Sequence, residues 1–290
     1  MRKEHTVQKL CKAIGVSPSG YYAYLKRPLR TVSERDRNDV EAIQSLYEAN
    51  AGTIGARRIA GELKETKGHV INHKRVRRLM NELNIKSKIR RPKTNKQPKE
   101  KSAGFVYPNL LNRDFNAILP NRKWVTDLSE LNVEGVKFYV SAIMDLYNRE
   151  IIAFVVSDTP DLKLVEQTIR SAMKNRGLPD LEHVVLHSDQ GSVYRSVKHH
   201  QLAKKLQFTP SMSRKANCWD NACIESFFSH LKTEFPHHHP IVSATQVQKD
   251  LLKFIGFFNE ERSQKRLGYM TPAAYANSKS IQQGAQLLAV

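Results

Sequence analysis

Three carboxylates of this 290-residue chain lie among apolar residues, where a charged side chain is costly to bury. Together they could hold divalent metal ions. Asp127 lies in a stretch whose apolar residues alternate like those of a half-buried strand, and Asp189 directly follows a short apolar strand. Glu225, separated from Asp189 by thirty-five residues, lies on a predicted helix rich in apolar side chains. A buried carboxylate needs a partner, and oxygen ligands of this kind select Mg²⁺ or Mn²⁺. Two such ions could activate an attacking oxygen and stabilise a leaving one in phosphoryl transfer.

Any one of these acids, taken alone, is more often a surface or salt-bridged carboxylate, so the elements that carry them matter. Apolar patterning predicts a meander of three strands, over residues 124–131, 138–144 and 151–156. Helical spacing and Gly177 predict a helix over residues 162–175. The elements after it are predicted as strand 183–186, helix 197–206, strand 208–210, helix 221–234 and helix 245–260. This alternation indicates an α/β chain and fits the ribonuclease-H-like layered fold, although periodicity alone does not separate α/β from α+β.

Positive charge is concentrated in the first third of the chain. Residues 1–101 carry 25 Lys and Arg against 10 Asp and Glu, whereas residues 102–290 carry 22 against 18, within a total formal charge of +19. A basic module therefore precedes a nearly balanced one, and a polyanion such as nucleic acid is the expected partner. Residues 86–101 hold eight basic residues, one acid and two prolines without apolar periodicity, which indicates an extended linker that could lie along phosphates. A solvated charge run is the alternative for that segment.

The basic module is predicted to be helical. A Gly turn at residues 15–17 separates two short apolar helical stripes, which suits a helix-turn-helix or an ordinary helical hairpin. Further on, Asn72 can cap a helix whose apolar side chains face inward. Its outer face then carries four cations, and these are the candidate DNA contacts Lys74, Arg75, Arg77 and Arg78. A helical bundle with a merely solvated basic face is the alternative.

Five short motifs in order resemble a known family, the integrase-like transposases of bacterial insertion sequences, and specifically the product of the second of their two overlapping frames. The motifs are WVTD at 124–127, HSDQGS at 187–192, SMSRKANCWDNA at 211–222 leading into ESFF at 225–228, FNEER at 258–262 and RLGYMTP at 266–272. Each string alone is weak, whereas all five at these distances are specific. The resemblance covers nearly the whole chain. One departure is Gln264, where the family often has His.

The resemblance implies a transposase that cuts and joins DNA with a ribonuclease-H-like, retroviral-integrase-type catalytic domain behind a small all-α DNA-binding region. It implies that Asp127, Asp189 and Glu225 are catalytic and hold Mg²⁺ or Mn²⁺, as two ions. Lys232, two helical turns after Glu225, is a candidate contact to the DNA backbone, and Arg262 is a candidate to orient DNA or the glutamate helix. The expected domains are residues 1–32 (helix-turn-helix-like element), 33–85 (helix-turn-helix-like DNA-binding domain), 86–113 (basic linker), 114–280 (integrase catalytic domain) and 281–290 (tail).

The expected partners are DNA, as element ends and target, a first-frame helix-turn-helix protein that is sometimes fused by frameshifting, and further copies of the chain on DNA. No apolar run approaches 18 residues, so no membrane-spanning helix is predicted. No apolar segment follows Lys3, so no signal peptide is predicted either. We therefore expect a bacterial cytoplasmic protein at the nucleoid. Structural zinc is disfavoured, because Cys218 and Cys223 are too far apart and residues 237–239 are three adjacent histidines. A non-catalytic DNA-binding regulator is the alternative function, and the complete carboxylate set argues against it.

Overall fold

The computed structural model describes residues 6–26, 34–88, 104–133, 135–215, 217–238 and 246–279. The chain forms two units, residues 1–41 and 42–290. In the first unit, α1 (Val7–Ala13) and α2 (Pro18–Leu25) are separated at Gly15, and the Ser17 side chain caps α2 by accepting from the Gly20 amide at 3.0 Å. Among the described residues, no helix is both long enough and apolar enough to cross a membrane. Most of the predicted linker and the tail 281–290 lie outside the described residues.

Two helices of the second unit form a small module with an apolar inner side. After α3 (Glu34–Ala49), which crosses the boundary between the units, come α4 (Ala56–Lys67) and α5 (His73–Glu82). The predicted cap is confirmed, since Asn72 Oδ1 accepts from the Lys74 amide at 2.8 Å. The buried side chains of this module are apolar and include Ile59, Leu63, Val76, Leu79 and Met80. Their burial leaves the cations of α5 on the other side of that helix.

A five-stranded mixed sheet forms the centre of the second unit. Its strands are β1 (Lys123–Val133), β2 (Val136–Asp145), β3 (Glu150–Ser157), β4 (Val185–Ser188) and β5 (Thr209–Met212), in the order β3-β2-β1-β4-β5. The first three are antiparallel, and β4 and β5 add in parallel. The predicted meander and the ribonuclease-H-like, integrase-type fold are both confirmed.

Helices cover both faces of this sheet. One apolar cluster joins the sheet to α6 (Leu162–Arg176) and α7 (Val197–Leu206), and a second joins it to α8 (Ala222–His238) and α9 (Val247–Glu260). The first cluster centres on Trp124 and the second on Val125, because successive residues of a strand point to opposite faces. The sheet is therefore the middle layer of three, with α8 and α9 on the face opposite α6 and α7.

Several predicted boundaries shift in the structure. Strand β4 begins at Val185 rather than at residue 183, because the Val185 amide donates to the Arg122 carbonyl and residues 181–184 form a turn. Helix α8 begins at Ala222, after a 3₁₀ turn over Cys218–Asn221, and continues to His238. The last part of the predicted linker is packed against the core, since Leu111 is only 2% exposed. Isolated apolar contacts of this kind leave no periodic trace in a sequence.

Candidate active site at the edge of the sheet

The parallel pairing of β1 with β4 relates the two segments that carry two of the predicted acids. The pairs run from Lys123–Val185 to Val125–His187, so Asp127 and Asp189 each follow the last pair by two residues. Both carboxylates also affect the pKa of one hydroxyl group, that of Tyr194. Burial raises the pKa of the Tyr194 phenol well above its ordinary value, and the charges of Asp127 and Asp189 raise it further. The two acids therefore lie close to a common point at the carboxyl end of β4.

The loop after β4 holds the second acid by a backbone hydrogen bond. Asp189 Oδ1 accepts from the Gly191 amide at 2.8 Å, and a Cβ on Gly191 would lie only 2.9 Å from that oxygen. The glycine therefore permits a close approach that a larger residue would disturb. Asp127 is held in a similar way, since its Oδ1 accepts from the Leu128 amide at 2.7 Å. Both carboxylates are half-buried.

The third acid is carried to the same strand by the start of α8. The Asn221 amide group donates to the Thr126 carbonyl at 3.2 Å, which ties the residue before α8 to the residue before Asp127. Glu225 follows Asn221 by four residues, about one helical turn, so it lies on the same side of the helix. Ile224, Phe227 and Phe228 are buried against the sheet while Glu225 is exposed. Packing thus fixes the helix and leaves the carboxylate at the surface near β1.

The donor set suits a hard divalent cation, because carboxylate oxygens are the ligands that Mg²⁺ and Mn²⁺ prefer. Within the part of the chain that the structure describes, no three His, Cys, Asp or Glu side chains lie close enough together to hold a metal ion. Asp127 and Asp189 follow paired residues of β1 and β4, and Glu225 lies in the first turn of the helix that follows Asn221.

A buried carboxylate that sequence reasoning missed organises the loop before α8. Asp220 is fully buried and accepts from the Arg214 guanidinium at 2.7 Å, from the Arg113 guanidinium at 3.0 Å and from the Asn109 amide group at 2.9 Å. The hydrogen bonds from Arg214 hold the pKa of Asp220 well below its usual range, so it stays charged. These contacts were not predictable from the sequence, because partners 107 and 111 residues away leave no local signal.

Of the two roles considered for Arg262, its surroundings favour positioning of the glutamate helix over contact with DNA. Its side chain is only 5% exposed and donates two hydrogen bonds of 2.7 Å to Glu234 on α8, and Arg58 lies 3.5 Å from the same carboxylate. Burial opposes the charge on Glu234, but hydrogen bonds from Arg262 and His230 outweigh it and lower the pKa of Glu234 well below its usual range. A guanidinium committed to a buried carboxylate positions the glutamate helix, which was the other role considered for it.

The remaining candidate DNA contacts differ in accessibility. Lys74 and Arg77 are exposed on α5, whereas Arg75 and Arg78 are half-buried and Arg78 donates to Glu82 at 2.8 Å. Lys232 is half-buried, two turns after Glu225 on α8. The exposed pair, Lys74 and Arg77, is therefore the part of the α5 face best placed to meet a phosphate.

Two histidines near this region are buried and neutral. His187 lies between the Ser211 and Ser213 hydroxyls, and burial lowers its pKa to about 4. His199 on α7 packs against Tyr194 and Phe208, and burial lowers its pKa to about 4 as well. Both ring nitrogens of His199 have no hydrogen-bond partner among the described residues. These are packed histidines that burial keeps neutral.

The neutral histidines predict a loss of stability in mild acid. The pKa of about 4 in the folded state lies below the value near 6.5 in the unfolded state. Each neutral histidine therefore contributes its full share to the free energy of unfolding above pH 6.5, and this share is lost as the pH falls toward 4. Each residue contributes at most about 3 kcal/mol to this loss. His199→Leu should make the melting temperature less pH-dependent between pH 7.5 and 5, as measured by thermal unfolding. The exposed His183 provides the control, and an equal flattening in His183→Gln would contradict the assignment.

Comparison with known proteins gives consistent matches along the chain. Models of the integrase core domain match residues 119–218 and 206–272, and a model of an HTH-like domain matches residues 34–93. The transposase InsK of insertion sequence element IS150 from Escherichia coli is 36% identical over 96% of this chain and 95% of its own length. The transposase of IS904 from Lactococcus lactis is 30% identical over 88% of this chain and 99% of its own. The catalytic core domain of BIV integrase is 18% identical over 56% of this chain, with a TM-score of 0.44.

Proposed function

This chain belongs to the integrase-core transposases of bacterial insertion sequences, and on that basis we propose that Asp127, Asp189 and Glu225 carry its metal-dependent cutting and joining of DNA. The observation that supports this most is the parallel pairing of β1 with β4, whose last pair lies two residues before both Asp127 and Asp189. The tie between Asn221 and Thr126 brings the glutamate helix to the same place. A DNA-binding regulator without catalysis would need none of these three acids.

The three carboxylates would hold Mg²⁺ or Mn²⁺, as two ions. When bound, such ions would lower the barrier by stabilising charge on the attacking and leaving oxygens of a phosphodiester. Asp127 and Asp189 supply rigid oxygen ligands, because backbone amides fix both side chains. The protein forms no covalent bond to DNA in this scheme. A water oxygen displaces the 3′ oxygen of the element end, and the freed 3′ hydroxyl then displaces a 3′ oxygen in the target strand.

The helical module and α8 would position the DNA for these steps. Lys74 and Arg77 provide exposed charge on α5, and Lys232 follows Glu225 along α8, where it could contact the DNA backbone. Arg75 and Arg78 contribute to the same positive field from half-buried positions. We further propose that the chain works as several copies on DNA, with a first-frame helix-turn-helix protein, separate or fused, supplying recognition of the element ends. Action on the bacterial chromosome places it at the nucleoid.

The metal requirement gives a direct test of this function. Full-length protein stripped with a chelator should neither nick nor join duplex DNA carrying the element ends, and added Mg²⁺ or Mn²⁺ should restore both reactions. Ca²⁺ should support binding but little chemistry, because it is larger and its coordination is looser. Cys223→Ser should retain activity, since no thiolate takes part.

The opposite pattern would identify a different kind of site. Restoration by Zn²⁺ alone, together with loss of activity in Cys223→Ser and stoichiometric zinc by elemental analysis, would remove the carboxylates from the catalytic role. The rates are best followed on denaturing gels with an end-labelled strand, since these separate nicking from joining.

A further inference from the structure

A cleft of about 470 Å³ lies where the start of α4 meets residues 263–269 and one side of α8. We call it the seam cleft. Six of its seventeen lining residues are cations, namely Arg57, Arg58, Arg149, Arg262, Lys265 and Arg266, and several of the others are apolar. Among the residues that the structure describes, no Asp or Glu lines it. The cleft lies beside α8 but does not include any of the three proposed catalytic acids, so it is a separate feature of the structure.

The positive charge of the seam cleft exceeds what nearby acids compensate. Glu234 is shared by Arg262 and Arg58, and Glu62 accepts from the Ser263 hydroxyl at 2.7 Å. Arg57 and Lys265 are exposed and form no ion pair with any described residue. Mutual repulsion of arginines is visible in Arg58, whose pKa falls to about 10 through burial and then through the charge of Arg262. An anion in the cleft would relieve this imbalance.

Two buried donors on the lining residues also lack acceptors. Arg58 Nε and the Gln264 side-chain nitrogen are both inaccessible, and neither has a hydrogen-bond partner within the described part of the chain. Buried donors of this kind are costly unless an acceptor is supplied. Phosphate oxygens accept strongly from guanidinium and ammonium donors, so a phosphate group matches the excess positive charge of the lining.

The walls of the seam cleft are held together by specific contacts. The Tyr269 ring lies against Gly61 so closely that a Cβ on that glycine would be 2.1 Å from ring atoms. The Tyr269 hydroxyl donates to the Arg57 carbonyl at 3.4 Å, and Ser263 is bonded to Glu62. A preformed cleft of this kind binds a ligand without first having to order its walls.

The cationic surface continues from the seam cleft to the helical module. Arg57 and Arg58 also line a second hollow, which includes His73 and Arg77 of α5. Arg77 also lines a third hollow, together with Lys74. A chain of phosphates regularly spaced along a polymer could follow this path, whereas a single small anion would use only one part of it.

We infer that the seam cleft binds a backbone phosphate of the same DNA molecule that α5 contacts. The inference rests on the proposed function, because it takes DNA as the substrate. It makes residues 263–269 a DNA-binding element as well as a support for α8. It also assigns separate roles to neighbouring cations. Arg262 and Arg58 hold the walls of the cleft, whereas Arg57 and Lys265 contact the phosphate.

The double variant Arg57→Gln/Lys265→Gln tests this in the full-length protein. Both side chains are exposed, so the variant should fold, and Lys265→Gln alone should give about half the effect. Fluorescence anisotropy with duplex DNA at several salt concentrations should show a log–log salt slope shallower by about 1 to 2, with affinity at least about tenfold weaker at low salt. The matched control is Lys163→Gln/Lys174→Gln, which removes two exposed cations from α6 on the opposite face of the sheet.

Equal loss in the cleft variant and the control would overturn the inference, because it would show only a general effect of net charge. Titration calorimetry with inorganic phosphate separates the two sources of the ligand. Tight phosphate binding that needs Arg57 and Lys265, with an unchanged salt slope for DNA, would assign the cleft to a free anion and also overturn the inference. This test of DNA binding is independent of the test of the proposed function, which measures strand joining by variants of Asp127, Asp189 and Glu225.

Discussion

Replacing Glu225 by Gln, or Asp127 or Asp189 by Asn, is expected to slow strand cleavage and joining by about 10³-fold or more. The amide keeps the shape of the side chain but removes the charge that a divalent cation requires, and the several kcal/mol that a bound ion contributes to the transition state are lost. Duplex binding should survive, because the exposed cations Lys74 and Arg77 are untouched. Single-turnover joining on labelled DNA and anisotropy of the same duplex measure the two properties separately.

Glu130→Gln is the matched control for the catalytic variants. Glu130 lies on β1, three residues after Asp127, but it is exposed and its nearest cation is Lys137 at 3.6 Å. Its loss should leave the rate within about twofold, since exposed ion pairs contribute little. Joining at the normal rate by Glu225→Gln in the presence of Mg²⁺ would contradict the assignment of the three acids.

Glu234→Gln is expected to lower the free energy of unfolding by about 3 to 5 kcal/mol, because it removes the counterion of a buried charge cluster. Arg262 and Arg58 both use this carboxylate, and without it two buried guanidinium groups face each other. The cluster also joins α4 to α8, so the loss should loosen the contact between the helical module and the glutamate helix. Urea unfolding followed by circular dichroism measures the change.

A surface ion pair of the same bond length provides the comparison. Arg170 and Glu166 lie on α6 at 2.7 Å, as close as Arg262 and Glu234, but both are substantially exposed. Glu166→Gln should cost less than about 0.5 kcal/mol. If Glu234→Gln also cost less than 1 kcal/mol, the Glu234 cluster would not be the link between α4 and α8 that its geometry indicates.

Elements with a local apolar pattern were predictable from the sequence. Strands β1 to β3 show alternation or continuous apolar runs over their own length, and Asn72 marks the start of α5 by its side chain alone. The start of β4 was predicted two residues too early, because hydrogen bonding to Arg122 decides it and that residue is distant in the sequence. Asp220 and Glu234 were missed for the same reason, since their arginine partners are brought in by the fold.

The sequence by itself determined the kinds and order of the elements, the basic character of the first hundred residues and the three acids that suit a divalent cation. Only the tertiary structure decided that Asp127 and Asp189 each follow the last β1–β4 pair by two residues, that Arg262 is an interior residue and that six cations line one cleft. The physical reason is the range of the interactions. Helix and strand patterns arise from neighbours a few residues apart, whereas a parallel register with an offset of 62 residues, or a carboxylate shared by residues 58 and 262, depends on chain segments that meet only after folding.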